Sequence, residues 1–428
     1  MRRGYKAALL AGLAAMVLGL PAFGQKTTIT FIHWGGNESY IQRYERLIAE
    51  FERLNPDIDV ERVPGGNGAD YIEGVLTRMA GGVPPDTFMI DLQDIAFLAA
   101  VTLDLSPYAE KDPAWDWSEI PAAAREIMFY DGKFVGTLDS ISPNIWFYNA
   151  DMFNQAGLET PTSLWQRGAW TWADFLDVSR KLTRVDGNGA VQVYGNAAGT
   201  GQALNRLFMW SNGAAEYDDP RRPTRSLYDA PEAIEAVRFV QQMQLDGISL
   251  PYPSSTNNPF RNGQVAMMAR WSSGIPTFGL QAPFDFGTAP YPKGPAPGGR
   301  YASDVGASVF AVAKDSPNAE AAWRWVAFLG GPEAAKVFAE EGPGIPIRRG
   351  VEIGFLPKNL IDGIDILFQL VSLPNDGNQL RLVSKNAADI NRIVDEGMAP
   401  IMRGQVPAET GMVEIARLVN AYLQQNPQ

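Results

Sequence analysis

The chain has 428 residues, 46% of them hydrophobic and 20% charged, with no Cys and a single His, His33. Zinc fingers, iron–sulfur clusters, thiol nucleophiles and His-rich metal sites are thereby excluded, and a Ser-His-Asp triad would have to use His33. Lys and Arg number 36 against 48 Asp and Glu, a net charge of −12 that repels phosphate backbones, so nucleic acid is not an expected partner. The length exceeds one compact unit and predicts two domains.

Arg2, Arg3 and Lys6 precede an apolar run from Ala7 to Leu20, and Pro21-Ala22-Phe23-Gly24 closes it with small residues. Residues 1–24 therefore read as an export signal, and the apolar run is too short for a membrane span of ~20 residues. Its removal takes away basic residues and no acidic ones, which leaves the remainder more acidic. With no Cys to carry a lipid, the expected location is periplasmic or extracellular and unanchored.

Ile29-Thr30-Phe31-Ile32 reads as a strand running into His33-Trp34-Gly35-Gly36, after which Ile41, Tyr44, Ile48 and Phe51 recur at helical spacing. Asn55-Pro56 stops that helix, and Ile58 and Val60 begin a second strand. Tyr71, Val75, Leu76 and Met79 mark a second helix, and Thr87 to Asp91 a third strand. Such alternation predicts a largely parallel sheet with ligands at the carboxyl ends of its strands, where Trp34 and Asp91 fall. Thr171 with Asp174 fits a capping box. Asp229, Pro231 and Glu232 open a helix carrying Ile234, Val237 and Val240, and Ser316-Pro317 precedes one holding Trp323 and Val326. Pro290 to Gly299 reads as a surface loop. Asp186-Gly187-Asn188-Gly189 begins like a calcium loop, but Ala190 and Ala197 occupy ligand positions, so a tight hairpin turn is expected and no metal.

The run Phe51-Glu52-Arg53-Leu54-Asn55-Pro56-Asp57-Ile58-Asp59-Val60, followed by Gly81-Gly82-Val83-Pro84-Pro85-Asp86-Thr87, resembles the opening of the family 1 extracellular solute-binding proteins, the sugar-binding components of ABC importers. The likeness continues through Tyr130-Asp131-Gly132-Lys133-Phe134-Val135-Gly136, Phe147-Tyr148-Asn149-Ala150-Asp151, Phe260 to Met268, Ser316 to Trp323 and Gly344-Ile345-Pro346-Ile347-Arg348. The missing Cys is a departure, since many relatives are lipoproteins. The resemblance implies an α/β, two-lobed periplasmic-binding-protein fold of type II, with discontinuous lobes joined by hinge strands. By that analogy residues 26–136 with 288–330 form lobe one, residues 137–287 with 331–428 form lobe two, and the ligand cleft lies between them. It further implies a monomer that closes on a carbohydrate and delivers it to membrane permease subunits, with no cofactor and no catalysis.

A sugar ring offers apolar C–H faces and a rim of hydroxyls, which suits flat aromatic rings beside carboxylate, amide and guanidinium groups. Trp271, at a position where relatives commonly carry an aromatic, is the preferred stacking residue; Trp34 and Trp210 fit a core role equally well. Asp91 and Gln93 lie beyond the third strand, with helix capping an equal reading for Asp91. Asn37 and Glu38 belong to the first loop, Asp139 and Asn144 flank the implied crossing between lobes, and Asp304 and Gly306 precede a strand from Ala307 to Ala313. Arg348 follows Ile345-Pro346, as a rim residue or a solvated charge. Trp323 and Trp325 read as helix packing. Two alternatives stay open: the same fold binding a polyamine, an iron complex or a phosphate ester, and a secreted glycosidase using two carboxylates.

Overall fold

The apolar residues of the first strand, β1 (Thr27–His33), alternate with its polar ones, and the helix after it, α1 (Glu38–Leu54), buries Tyr44, Leu47 and Phe51 against it. Then follow β2 (Ile58–Pro64), α2 (Gly68–Ala80) and β3 (Thr87–Asp91), with β1 parallel to both β2 and β3. The opening is thus a βαβαβ unit, the arrangement in which crossover helices cover a parallel sheet. The computed structural model describes residues 26–34, 38–66, 68–341, 344–348, 351, 356–372 and 381–427, so the export signal expected over residues 1–24 lies outside the described residues.

From β4 (Thr137–Leu138) the chain passes through Asp139 into β5 (Ser140–Asn149), the longest described strand. β5 is flanked by β6 (Met267–Trp271) and β7 (Phe286–Ala289), both antiparallel to it. The chain returns through β8 (Val305–Gly306) and Ala307 into β9 (Ser308–Val312), which lies antiparallel between β3 and β4. The first half of β5 also pairs with β8 and with β10 (Ile345–Pro346), and β11 (Leu360–Asp362) lies parallel to β7. Two main sheets result, β2-β1-β3-β9-β4 and β6-β5-β7-β11, beside two small two-stranded hairpins, with three chain crossings between the main sheets braced on the first half of β5.

One cluster runs through the first lobe and onto one face of the second sheet, and another packs that sheet's other face. Ile29, Phe31, Phe88, Phe310 and Trp325 meet in the first lobe, where Trp325 sets its edge against Phe31 and Phe51. Along β5 the pleat divides its side chains, Trp146 and Tyr148 facing a second cluster with Trp170, Phe208, Trp210 and Tyr291, and Ile145 and Phe147 facing the other way. The paired helices Ala387–Met402 and Ala408–Gln425 close that second cluster.

Several sequence expectations need correction. β7 and the segment after it belong to the second lobe, while the helix Pro332–Glu341 packs Ala334, Val337 and Phe338 into the first, so the lobe boundaries differ from those drawn by resemblance. Boundaries that run through strands leave no linker composition to read. Pro290 to Pro292 is buried instead of forming a surface loop: Tyr291 is enclosed, and the Pro290 carbonyl accepts the Trp170 indole N–H at 2.9 Å. Ala230, not Asp229, is the residue before the helix Pro231–Leu245, and Asn318 stands before Ala319–Leu329. The capping box at Thr171 and Asp174 and the turn at Asp186 are as read.

Gly136 holds the first lobe's last strands together, because a Cβ there would lie 2.2 Å from the Phe310 carbonyl oxygen and 2.6 Å from Val309 Cγ1. Backbone cannot yield as a side-chain tip can, so Gly136→Ala is expected to cost about 3 kcal/mol in urea unfolding. A variant within about 0.5 kcal/mol of the parent contradicts this close packing.

Candidate functional site

Where the three crossings meet, the chain leaves a cavity of about 220 Å³. From the first lobe come Arg43 of α1, Asp91 at the end of β3 and Ser308; from the crossings come Asp139, Ser140, Ser142, Gly306 and Ala307; from the second lobe come Trp271, Ser273 and Arg381. The volume falls below the few hundred Å³ usual for small-molecule sites.

Trp271 ends β6 opposite Asn144 and is half-buried. The guanidinium of Arg381 lies over its ring at 5.0 Å, and the backbone of Gly306 approaches so closely that a Cβ would meet the indole at 3.2 Å. Arg381 is itself held by Asp304 at 3.0 Å and by the Val305 carbonyl at 3.3 Å. Behind it, buried Arg206 pairs with Asp304 at 3.5 Å and with Glu216 at 3.0 Å. An isolated buried carboxylate would be costly, and two guanidiniums around Asp304 offset that cost. The indole thus stands on a chain of paired charges that reaches into the second lobe.

The carboxyls at the cavity are poorly hydrated. Burial pushes Asp139 up to about 6, against the opposing pull of Arg43 and of hydrogen bonds from Ser140. Burial also raises Asp91, with Arg381 opposing, and raises Asp94 to about 6 with help from the Asp91 charge. Such groups are strong hydrogen-bond acceptors when ionised, and each can hold two hydroxyls.

Of the residues singled out in the sequence, Asp91, Asp139, Trp271 and Gly306 line the cavity. Asp91 also caps the short helix after β3 by accepting the Gln93 N–H, as its capping reading expects, while Gln93 is exposed beside it. Asp304 and Asn144 stand behind the lining: Asp304 in its ion pairs, Asn144 with its N–H on the Asp304 carbonyl at 2.8 Å. Trp34 is half-buried with its ring 5.5 Å from that of Tyr71. Asn37 lies outside the described residues, as does the side chain of Glu38.

Trp210 and Arg348 are not at the cavity. Trp210 is 1% exposed in the second cluster, under the Arg206 guanidinium, and the Ser-Asn-Gly sequence beside it ends a helix instead of forming a cleft loop. Arg348 is 6% exposed, stacked over Trp115 and bonded to the Gly330 carbonyl at 2.6 Å, so it braces the first lobe and is neither rim nor solvated. His33 is fully buried and burial lowers it to about 4, which fits packing against Phe31 and Tyr44. Sequence reading missed Arg43 and Arg381. Arg43 carried a signal: it lies one turn before buried Leu47, a charge on the apolar side of α1. Among the described residues no group of side chains suits a metal ion.

The raised pKa of Asp139 has a stability consequence. Its carboxyl binds a proton more tightly folded, at about 6, than unfolded, near 3.8, so its contribution improves as pH falls from 6 toward 4 and is lost as pH rises through 6. Asp139→Asn is expected to stabilise the ligand-free chain near neutral pH by on the order of 1–2 kcal/mol, seen as a higher melting temperature, with the gain vanishing near pH 4. Thermal melts across that range check it; a variant destabilised equally at both ends contradicts it.

Residues 36–336 match the family model for bacterial extracellular solute-binding proteins. A putative binding protein of Brucella abortus is 24% identical over 362 residues, covering 81% of this chain and 82% of that one. The sn-glycerol-3-phosphate-binding periplasmic protein of Shigella flexneri is 22% identical over 423 residues, 92% of each chain. An ABC substrate-binding protein from Listeria monocytogenes, solved in complex with cycloalternan, superimposes with a TM-score of 0.78 at 25% identity, over 93% of this chain and 99% of that one. With its family model spanning most of the chain and its two α/β lobes meeting at a cavity, the chain belongs to the bacterial extracellular solute-binding proteins.

Proposed function

We propose that this protein captures a carbohydrate between its lobes outside the cytoplasm, without altering it, and delivers it to the permease of an ABC importer. The observation that carries this reading is the cavity itself: one indole, two carboxylates, two guanidiniums and four serines converge there from both lobes. An apolar plate with a ring of planar and hydroxyl groups is what a sugar requires, and groups on both lobes make closure and binding one event. The cycloalternan complex of the Listeria relative supports the same class of ligand.

The glycerol-phosphate-binding relative favours a second reading, a phosphate ester. Charge at the cavity weighs against it. Arg381 is engaged by Asp304, Arg43 faces Asp139, and Asp91 and Asp94 add further negative charge, so a dianion there would meet carboxylates as well as guanidiniums. The raised carboxyls also invite a glycosidase reading, which recovery of the ligand decides.

A thermal-shift screen over mono- and oligosaccharides is expected to find at least one that stabilises the chain, by about 2.7 kcal/mol when present at a hundred times its Kd. Titration calorimetry with that sugar should show Trp271→Ala weakening binding about tenfold or more, and mass spectrometry should return the sugar intact. Unchanged affinity in the variant, cleavage of the sugar, or stabilisation by glycerol phosphate alone overturns the reading.

A further inference from the structure

A second groove of about 510 Å³ lies along the same meeting line of the lobes and has the opposite charge. On its first-lobe side are Ala96, Ala99 and Ala100, which follow Asp91 in the chain, and the hairpin tip Tyr130-Asp131-Gly132-Lys133. On its second-lobe side are Arg221, Arg222 and Lys385. Short stretches of chain link the linings of the two spaces. On one side the chain runs from Asp91 in the cavity to Ala96 in the groove, and on the other from Arg381 to Lys385, a distance of at most about 14 Å. Val383, midway along the latter stretch, is fixed to the loop carrying Arg221 and Arg222 by its N–H on the Pro220 carbonyl at 2.8 Å.

Four cations line this groove against one carboxylate, in a protein with a net charge of −12. Asp131 already shows what the groove accepts: its carboxylate crosses from the first lobe to Arg222 of the second at 2.9 Å. The Lys133 ammonium is turned onto the Ala99 and Thr102 carbonyls. Asp219, nearby, spends its carboxylate on the backbone N–H groups of Arg221 and Arg222. Among the described residues the side chains of Arg221 and Lys385 make no hydrogen bond or ion pair, and the Arg221 charge acts on the Tyr130 hydroxyl. The half-buried ring of Tyr130 and the alanine methyls supply the apolar surface that a sugar ring covers.

Charge therefore reverses along the meeting line, acidic at Asp91, Asp94 and Asp139 and basic at Arg221, Arg222 and Lys385. We propose that the ligand is an acidic saccharide, a uronate-bearing di- or oligosaccharide, with a neutral ring against Trp271 and its carboxylate in this groove. The inference rests on the carbohydrate reading and adds both the ligand's charge and its direction. A uronate placed inward would face desolvated carboxylates, so only the orientation with the acid outward is favourable.

Calorimetry with a panel of neutral di- and trisaccharides and the same sugars carrying a terminal uronate tests this, on the parent chain and on Arg221→Gln with Lys385→Gln. The uronate forms should bind about fivefold or more tightly than their neutral counterparts at low salt. That advantage should shrink as salt rises and disappear in the double variant, whose affinity for neutral sugars stays as in the parent. Neutral forms that bind as tightly as the uronates, or a double variant that weakens both alike, overturn the acidic assignment and leave the carbohydrate reading standing. If no member of either panel binds, the carbohydrate reading fails and this inference with it.

Discussion

Charge kept from water at the junction of two lobes governs the centre of this molecule. Asp91, Asp139 and Asp304 stand where three chain crossings converge, and burial there disfavours the ionised forms of Asp91 and Asp139. Arg43, Arg206 and Arg381 offset that penalty, and in doing so they fix the cavity's geometry. Arg206 and Glu216 tie Asp304 to the second lobe's core, Asp304 holds Arg381, and Arg381 lies against Trp271. A planar apolar plate held by a charge network is rigid, since moving it would expose or unpair several buried ions.

The crossings explain why this network sits where it does. β5 carries the first crossing at its start and braces the other two, so Ser140, Ser142, Gly306 and Ala307 all face one small space. Strand pairing fixes their register, and Gly306 lets the backbone come within van der Waals contact of the indole. A ligand that bonds to both lobes at this place gains contacts only when they are together, which makes its affinity a report on the equilibrium between their arrangements.

Much of the first lobe was legible in the sequence because its signals are local. Strand alternation in Ile29–Ile32, helical spacing from Ile41 to Phe51 and the Pro-Pro before Thr87 each specify an element without reference to the rest of the chain. Asp91 and Gly306 were accessible because each follows or precedes a recognisable strand, whereas Trp271 and Asp139 were accessible through the family resemblance. What could not be read depends on distant partners. Arg381 matters through Asp304, and Trp210 resembles a cleft residue until the Arg206 guanidinium and the second cluster enclose it. Arg348 likewise turns inward only because Gly330 and Trp115 meet it there. The lobe boundaries stayed hidden because the chain changes lobe within paired strands, with no glycine-rich or polar linker to mark the passage.

Small-angle X-ray scattering with and without a saturating saccharide addresses the central claim, that one solute is gripped by both lobes at once. Capture by closure predicts a smaller radius of gyration and a shorter maximum dimension in the bound form. Identical profiles at demonstrated saturation would contradict it, because the solute would then be held without drawing the lobes together.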